Sequence, residues 1–384
     1  MATGDGRADH VVVIVQENHT TDNYFRGLAP YGANVATDFK IASNPPGPDT
    51  PHDRHAYFRW VTGQNTANRV QFETDVVLPY YLYLATAGAF LENHCSGIGS
   101  NSTPNHLMLV GGQTPTLRNP PRRLPPPLWD MPSVPGLADD NGIDWRCYAA
   151  NREYPVGFYT QLKPSPHVVH PRDFLRDAAA GALPALSYVW HNSPLDEHPP
   201  ADVTKGMNVV WEMVDAVVNA GLWDNTVFML TYDDWGGFDD HVATPAVEYT
   251  PDNVQVAFGP RVPLLIFGGH VTPGIDSRWC SHASVAKTAI QLLGLPDLGV
   301  PRVDGDPGLA DLVAATVTNP PPPAVGSDLS RAIPAPPAVA PTHNPLPPPP
   351  SAPQPIGEII LRDGSVLPPP DDVPLPQQPA PPTG

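Results

Sequence analysis

The sequence predicts an α/β fold, a mainly parallel central sheet with helices on both faces, followed by a disordered Pro-rich C-terminal tail. Three observations carry this. Apolar, β-branched runs without alternation recur at 10–16 (HVVVIVQ), 184–190 (PALSYVW), 226–232 (TVFMLTY) and 262–268 (VPLLIFG), the pattern of strands buried on both faces. Helical periodicity fills the intervals between them. From about Asn319 onward the chain's 54 prolines crowd the text, removing backbone donors and leaving little apolar surface to bury.

Taken in order, the run at 10–16 is a central strand, and Glu17 and Asn18 follow it at once. A helix is expected over 78–93 (LPYYLYLATAGAFLEN) and another over 206–221. In the second, Val209, Val210, Met213, Val214 and Val217 recur at helical spacing, Asp215 and Asn219 fall on another face, and Gly221 marks the stop. A third helix is expected over 283–294. In alternating α/β sheets chemistry gathers at the carboxyl ends of the strands, where Glu17-Asn18 and Asp233-Asp234 fall. Residues 112–182 are rich in proline (NPPRRLPPPLWDMPSVPG, YTQLKPSPHVVHPRDF) and read as a loop-rich excursion roofing the site. The body is therefore expected over 1–317 and the tail over 318–384. Within the tail, IGEIILRDGSVL at 356–367 alternates like a hairpin around Asp363-Gly364. The rest reads as a solvated polyproline-II spacer of unknown partner.

A net charge of −18, with 21 Lys and Arg and no basic run, argues against a nucleic-acid groove and against an anionic bilayer. A bound cation still allows a phosphate substrate in such a protein. No apolar stretch approaches the roughly 18 residues of a membrane span, so no transmembrane segment is expected. The opening MATGDGRADHVVVIV lacks the regions of a signal peptide, which predicts a cytoplasmic protein; a missing leader would make it secreted or cell-envelope. The three cysteines, Cys95, Cys147 and Cys280, allow at most one bridge and read as buried thiols.

Four segments place metal- or phosphate-competent side chains where strands should end: VVVIVQEN (11–18), NSTPNHL (101–107), DEHPP (196–200) and MLTYDDWGGFDDH (229–241). Glu17 and Asn18 offer hard oxygens to a divalent cation or, equally, a strand-end turn. Asp233 and Asp234 are adjacent acids at the tip of an apolar strand, and such charges repel unless a cation compensates them. Gly236 and Gly237 let the backbone approach closely. Asp239, Asp240 and His241 serve either a solvated turn, a carboxylate that orients a histidine, or direct ligation. Ser100, Ser102 and Thr103 lie in a small, glycine-preceded segment, and a hydroxyl attacks phosphorus once its proton is removed or a metal binds its oxygen; hydroxyls before proline also cap helices. Pro104 and Asn105 hold that turn. His198 precedes a rigid Pro-Pro corner and could protonate a leaving oxygen or bond a phosphoryl oxygen. His167, His170 and His191 are lesser candidates among the chain's 14 histidines. Together the segments predict a metal-assisted ester hydrolase.

These motifs, in this order and spacing, resemble the bacterial phosphoesterase family that contains the non-haemolytic, phosphatidylcholine-type phospholipases C and related acid phosphatases, a branch of the alkaline-phosphatase superfamily. The resemblance rests on VQENHTTDNYF, NSTPNHLMLVGGQ, DEHPP and TYDDWGGFDDH, with later blocks FGPRVPLLIFGG and SHASVAKTAIQLLGLP, and covers about residues 10 to 300. It implies an alkaline-phosphatase-like fold and hydrolysis through a phosphoserine. Ser102 would be the nucleophile, Glu17, Asn18, Asp233 and Asp234 would hold one divalent cation that also contacts Ser102, and His198 would bind the phosphoryl group or assist the leaving group. Asn105 and His241 are expected with His198 on the substrate side. Oxygen ligands favour Ca²⁺ or Mg²⁺, while the superfamily's use of zinc keeps Zn²⁺ open. The chain departs from the family in having His106 where phospholipases commonly have Arg, and Asp233-Asp234 where Asp-Glu is common. The substrate is then a small phosphate ester or a phospholipid headgroup. Diester cleavage would use a groove lined by Trp129, Trp145, Tyr148 and Tyr159, and monoester cleavage would use Arg122, Arg123 and Arg152. The rival reading is a catalytically inactive phosphoesterase-fold interaction protein that works through its Pro-rich tail.

Overall fold

The computed structural model describes residues 8–61, 63–64, 67–120, 128–150, 155–163, 165–244, 246–249, 255–339, 341–347 and 359–367. Its main sheet has eight strands: β1 (His10–Gln16), β2 (Ala89–Cys95), β3 (Trp145–Ala149), β4 (Val168–Val169), β5 (Leu186–Trp190), β6 (Thr226–Tyr232), β7 (Leu264–Gly268) and β8 (Gly274–Ser281). In space they run β8-β2-β7-β6-β1-β5-β3-β4. β1 lies between β5 and β6 and parallel to both; β7 runs antiparallel to its neighbours β2 and β6. The central position expected for 10–16 is what the structure has, and the sheet is mainly parallel.

Five main helices matter for the site: α1 (Thr21–Tyr24), α2 (Pro79–Ala87), α3 (Ser102–Gly111), α4 (Val203–Asn219) and α5 (His282–Leu292). Alternate residues of β1 enter two separate cores, which is why the strand reads as an unbroken apolar run. Val11, Val13 and Val15 pack with Leu107, Leu109 and Val110 of α3 and Val285, Ala286 and Ala289 of α5. Val12 and Ile14 pack with Tyr81 and Leu84 of α2 and Val210, Met213 and Val217 of α4. Helices therefore cover both faces.

The helix expected over 78–93 is corrected: α2 stops at Ala87 and β2 begins at Ala89. Gly88 is the break, because a Cβ there would lie 2.6 Å from the Ile266 carbonyl oxygen and 2.8 Å from Phe267 Cβ. Both segments are buried nearly throughout, so hydrophobic periodicity could not part them. The excursion expected over 112–182 is corrected as well. It supplies β3, β4 and helices Val134–Asp140 and Asp173–Ala179, and much of it enters the core. Of the aromatic residues expected to line a groove there, Trp145, Tyr148 and Tyr159 are buried, Tyr148 donating to Asp177 Oδ2 at 2.9 Å and Tyr159 to the Leu107 carbonyl at 3.1 Å. Trp129 stacks on Phe158. Arg122, Arg123 and Arg152 lie outside the described residues.

Of the Pro-rich segment, 318–339 and 341–347 lie along the body rather than standing off as a spacer. Proline removes donors but leaves carbonyls, and the body answers with N–H groups. Trp223 Nε1 donates to Asn319 O at 3.0 Å, Trp211 Nε1 to Pro323 O at 2.8 Å and Trp279 Nε1 to Pro345 O at 2.8 Å. The expected hairpin forms between Ile359–Ile360 and Val366–Leu367, and Gln113 bonds both polar backbone atoms of Ile360. All three cysteines are free and buried. No helix among the described residues is long and apolar enough to cross a membrane.

Candidate active site

Register brings the acids together. Gln16 is paired with Tyr232 at the carboxyl ends of β1 and β6, so the residues that follow leave the sheet side by side. The Asp233 amide donates to the Gln16 carbonyl at 3.1 Å, and the Asn18 amide donates to Asp233 Oδ1 at 3.1 Å. Asn18 takes a left-handed φ of 67°, an uncommon conformation that asparagine tolerates better than most. Gly236 curls directly over it; a Cβ there would overlap the Asn18 carbonyl oxygen.

Ser102 opens α3, after Asn101 as its N-cap residue. Its Oγ donates to Asp234 Oδ2 at 3.2 Å, while Asp234 Oδ1 accepts from the Gly236 amide at 2.8 Å. Thr103, next along, is buried. Asn105 is corrected from the substrate side. Its Oδ1 accepts from the Ile98 amide at 3.0 Å, and its Nδ2 donates to the carbonyls of Ile98, Ser100 and Asn101 at 3.1–3.2 Å. The side chain is wholly buried and clamps the loop that presents Ser102.

His198 is half-buried, with Nδ1 donating to the Pro199 carbonyl at 2.8 Å, which leaves Nε2 for another partner. Burial lowers its proton affinity, but the charge of Glu17 and the Pro199 bond raise it further, and the net direction is upward. The neighbouring Asp196 carbonyl accepts from the Glu17 amide at 2.8 Å, tying the His198 loop to the tip of β1. His241 goes elsewhere: its Nδ1 donates to Asp22 Oδ2 at 2.6 Å and its Nε2 meets Asn34 Oδ1 at 3.0 Å. His167 caps the Trp145 carbonyl and stacks on that ring.

Two residues missing from the sequence expectation join the set. His52 Nε2 lies 3.8 Å from Asp234 Oδ2, its Nδ1 bonded to the Thr50 carbonyl at 2.8 Å. Burial opposes a proton on His52, and the Asp234 charge, the Thr50 bond and the charges of Asp49 and Asp233 together more than offset it, so the net direction is upward. His106, noted only as a departure from family pattern, lies fully buried with Nε2 3.4 Å from Asp233 Oδ2 and 3.7 Å from Glu17 Oε1. Burial works against a proton on that ring, and the two acids lift it above the ordinary histidine range. Trp190 Nε1, 3.2 Å from Nδ1, opposes a second ring proton, since a donor would then face a donor. The spacing of His106, one turn after Ser102, was a usable signal; His52 had none beyond a histidine in an acid-flanked, proline-rich loop.

The acids themselves are poised unequally. Burial and the adjacent Asp233 charge push Asp234 up to about 7, whereas burial on Asp233 is outweighed by its contact with His106, which holds it at about 2. Both polar atoms of the Asn18 side chain are buried without a hydrogen-bond partner among the described residues. Unpartnered buried amides are costly, and two adjacent buried acids beside one are the donor set of a hard divalent cation. Glu17, Asn18, Asp233 and Asp234 therefore fit such an ion. Among the described residues, the one trio of acid, His or Cys ligand atoms within 4.8 Å of one another is Asp22, Asp240 and His241. There Arg261 already supplies the positive charge, at 3.2 Å from Asp22 and 2.8 Å from Asp240.

Comparison with known proteins follows the same lines. The chain is 27% identical over 248 residues to non-specific phospholipase C6 of Arabidopsis thaliana, covering 57% of this chain and 48% of that protein. It is 26% identical to the non-hemolytic phospholipase C of Pseudomonas aeruginosa, over 75% and 54% of the two chains, and 22% identical to phospholipase C A of Mycobacterium tuberculosis, over 96% and 86%. The chain spans about half the length of most of the curated relatives it matches. Among solved structures, the lipoteichoic acid synthase LtaP from Listeria monocytogenes superposes with a TM-score of 0.48 at 11% identity, over 78% of this chain and 77% of that one. Residues 50–296, more than half of the chain and including Ser102, His198, Asp233 and Asp234, match the model of the Phosphoesterase family, and the chain belongs to that family.

Proposed function

We propose that the protein is a metal-dependent hydrolase of phosphate esters that works through a phosphoserine at Ser102. The observation that carries this is the Ser102 hydroxyl bonded to one of two adjacent buried acids, at the start of a helix, with the side chain of Asn18, whose backbone amide bonds the other acid, lacking a partner among the described residues. Asp234 Oδ2 accepts the hydroxyl hydrogen and aims the serine oxygen outward. The N-terminus of α3 adds favourable charge for phosphoryl oxygens. A divalent cation, when held by Glu17, Asn18, Asp233 and Asp234, would neutralise the acid pair and make the serine oxygen a better nucleophile. His198, fixed through Nδ1, offers Nε2 to a phosphoryl oxygen or to the leaving group, and His52 Nε2 lies 3.8 Å from Asp234 Oδ2, the oxygen that accepts from Ser102. Ca²⁺ or Mg²⁺ suits the oxygen donors better than Zn²⁺. The phospholipase C names of the relatives favour a phospholipid-headgroup diester over a monoester.

The test compares p-nitrophenyl phosphate, its phosphorylcholine ester and bis-p-nitrophenyl phosphate, each with and without chelator. Ser102→Ala should lower kcat by at least about 10³-fold with the fold unchanged. Activity that survives in this variant places the nucleophile elsewhere, Thr103 being the next hydroxyl.

A further inference from the structure

His106 lies one turn beyond Ser102 on α3, so both side chains leave the helix on one face. Its buried ring has an unlike neighbour on each side. The Trp190 indole nitrogen is 3.2 Å from Nδ1; Asp233 Oδ2 and Glu17 Oε1 are 3.4 and 3.7 Å from Nε2. An indole nitrogen only donates, so Nδ1 must accept and the proton of the neutral ring must sit on Nε2. Turning the ring over would set carbon atoms against the indole N–H and against the acids, so the surroundings also fix its orientation. Trp190 is in turn held in place. It stacks on Tyr188 with centroids 5.3 Å apart and planes 6° from parallel, and the Tyr188 hydroxyl donates to the Leu109 carbonyl of the same helix at 3.2 Å.

We infer that Trp190 locks His106 as the Nε2–H tautomer, making His106 a positioning residue that turns its Nε2–H toward the ligand acids Asp233 and Glu17 and keeping its nitrogen off the metal. The inference rests on the cation site proposed above. The ring nitrogen and Asp233 Oδ2, 3.4 Å apart, are near enough to meet one ion. With a free lone pair at Nε2 the site would gain a borderline-soft nitrogen ligand, which suits zinc. With the proton there instead, the donors are all oxygen and select a hard cation. An indole that never touches the ion thus sets which class of metal the site takes. Orienting partners of this kind act on affinity and selectivity from outside the coordination sphere.

The first test needs no metal. In chelated, ¹⁵N-histidine-labelled protein, titrated to a pH at which the ring is neutral, long-range ¹H–¹⁵N correlation should show His106 as Nε2–H. An Nδ1–H ring overturns the inference. In Trp190→Phe, where Nδ1 can take the proton when a metal claims Nε2, the ratio of Zn²⁺ to Ca²⁺ affinity, measured by competition calorimetry with the free ions, should rise about tenfold or more. A folded variant with the wild-type ratio overturns it, and so does direct Zn²⁺ coordination at His106 Nε2 in the wild type. If neither protein binds any divalent ion, the proposed cation site fails, and the tautomer in metal-free protein still decides the role of Trp190.

Discussion

Asp234→Asn removes one of two adjacent carboxylates from a fully buried site while keeping its shape. The amide oxygen can still accept from the Gly236 amide, and the new NH₂ faces the Ser102 hydroxyl, which can turn to accept from it. What changes is charge. Burial and the Asp233 charge move the Asp234 carboxyl from 3.8 to about 7. Because the folded-state value lies above the unfolded one, ionising this group opposes folding. The penalty is absent below the unfolded value, grows as pH rises between the two, and is complete above the folded value. At about 1.4 kcal/mol per factor of ten, its ceiling is roughly 4 kcal/mol. Local relaxation lowers that figure, so a gain of at least about 1 kcal/mol is the working expectation. In urea melts with chelator, Asp234→Asn should therefore be more stable than the wild type at about pH 8 and no more stable at about pH 4. Adding Ca²⁺ or Mg²⁺ should stabilise the wild type and leave the variant nearly unchanged. A variant no more stable than the wild type at the higher pH, or equally favoured at both, refutes the claim that uncompensated repulsion is stored at this site.

Gly206→Ala should cost about 1–3 kcal/mol in thermal or urea unfolding, because a Cβ there overlaps the Glu197 side chain in a packed interior; an unchanged midpoint would show that the α4 contact is loose. Arg261→Met leaves Asp22 and Asp240 buried without their cation and should cost about 3–5 kcal/mol. If Ca²⁺ or Mg²⁺ stabilises wild type and Ser102→Ala alike but rescues Arg261→Met selectively, the Asp22–Asp240–His241 trio takes a metal after all. Truncation after Val317 removes the acceptors of the Trp211, Trp223 and Trp279 indoles, worth about 1 kcal/mol each, and should lower stability by roughly 3 kcal/mol or more. An unaltered melt would restore the spacer reading of the tail.

The strands on both sides of β1 were legible because burial on two faces writes an unbroken apolar run, and β1, β5, β6 and β7 all fall within the expected segments. The same logic hid β2. Its residues Glu92, Asn93 and His94 are polar yet buried, each with its own partner, as with Asn93 Nδ2 on the Ser277 carbonyl at 2.8 Å. A run that is part apolar and part internally paired carries no period, and only Gly88 separates it from α2. β8 was hidden for the opposite reason. As an edge strand it keeps one side open to water and reads as GIDSRWCS, a polar segment. Within 319–345, composition reports what the chain cannot bury, not which of its carbonyls the rest of the molecule can bond.

At the site, what was legible sits directly after a strand, and what was not depends on contacts between distant parts of the chain. Glu17, Asn18, Asp233 and Asp234 follow strand tips; His52 reaches Asp234 from a loop pinned by Trp235 Nε1 on the His52 carbonyl at 2.9 Å. The two acidic clusters make the deciding contrast. Asp22, Asp240 and His241 are the residue types of a metal site at the right spacing, yet Arg261 and Asn34 satisfy them, and burial of such a set needs nothing more. Among the described residues, Asp233 and Asp234 lack a buried arginine of that kind, and beside them the Asn18 side-chain amide has no hydrogen-bond partner and its backbone is left-handed. A fold retains such a combination where a ligand supplies the missing interactions, and on that ground we propose the cation and phosphate site at the Asp233–Asp234 pair and not at the better-spaced trio.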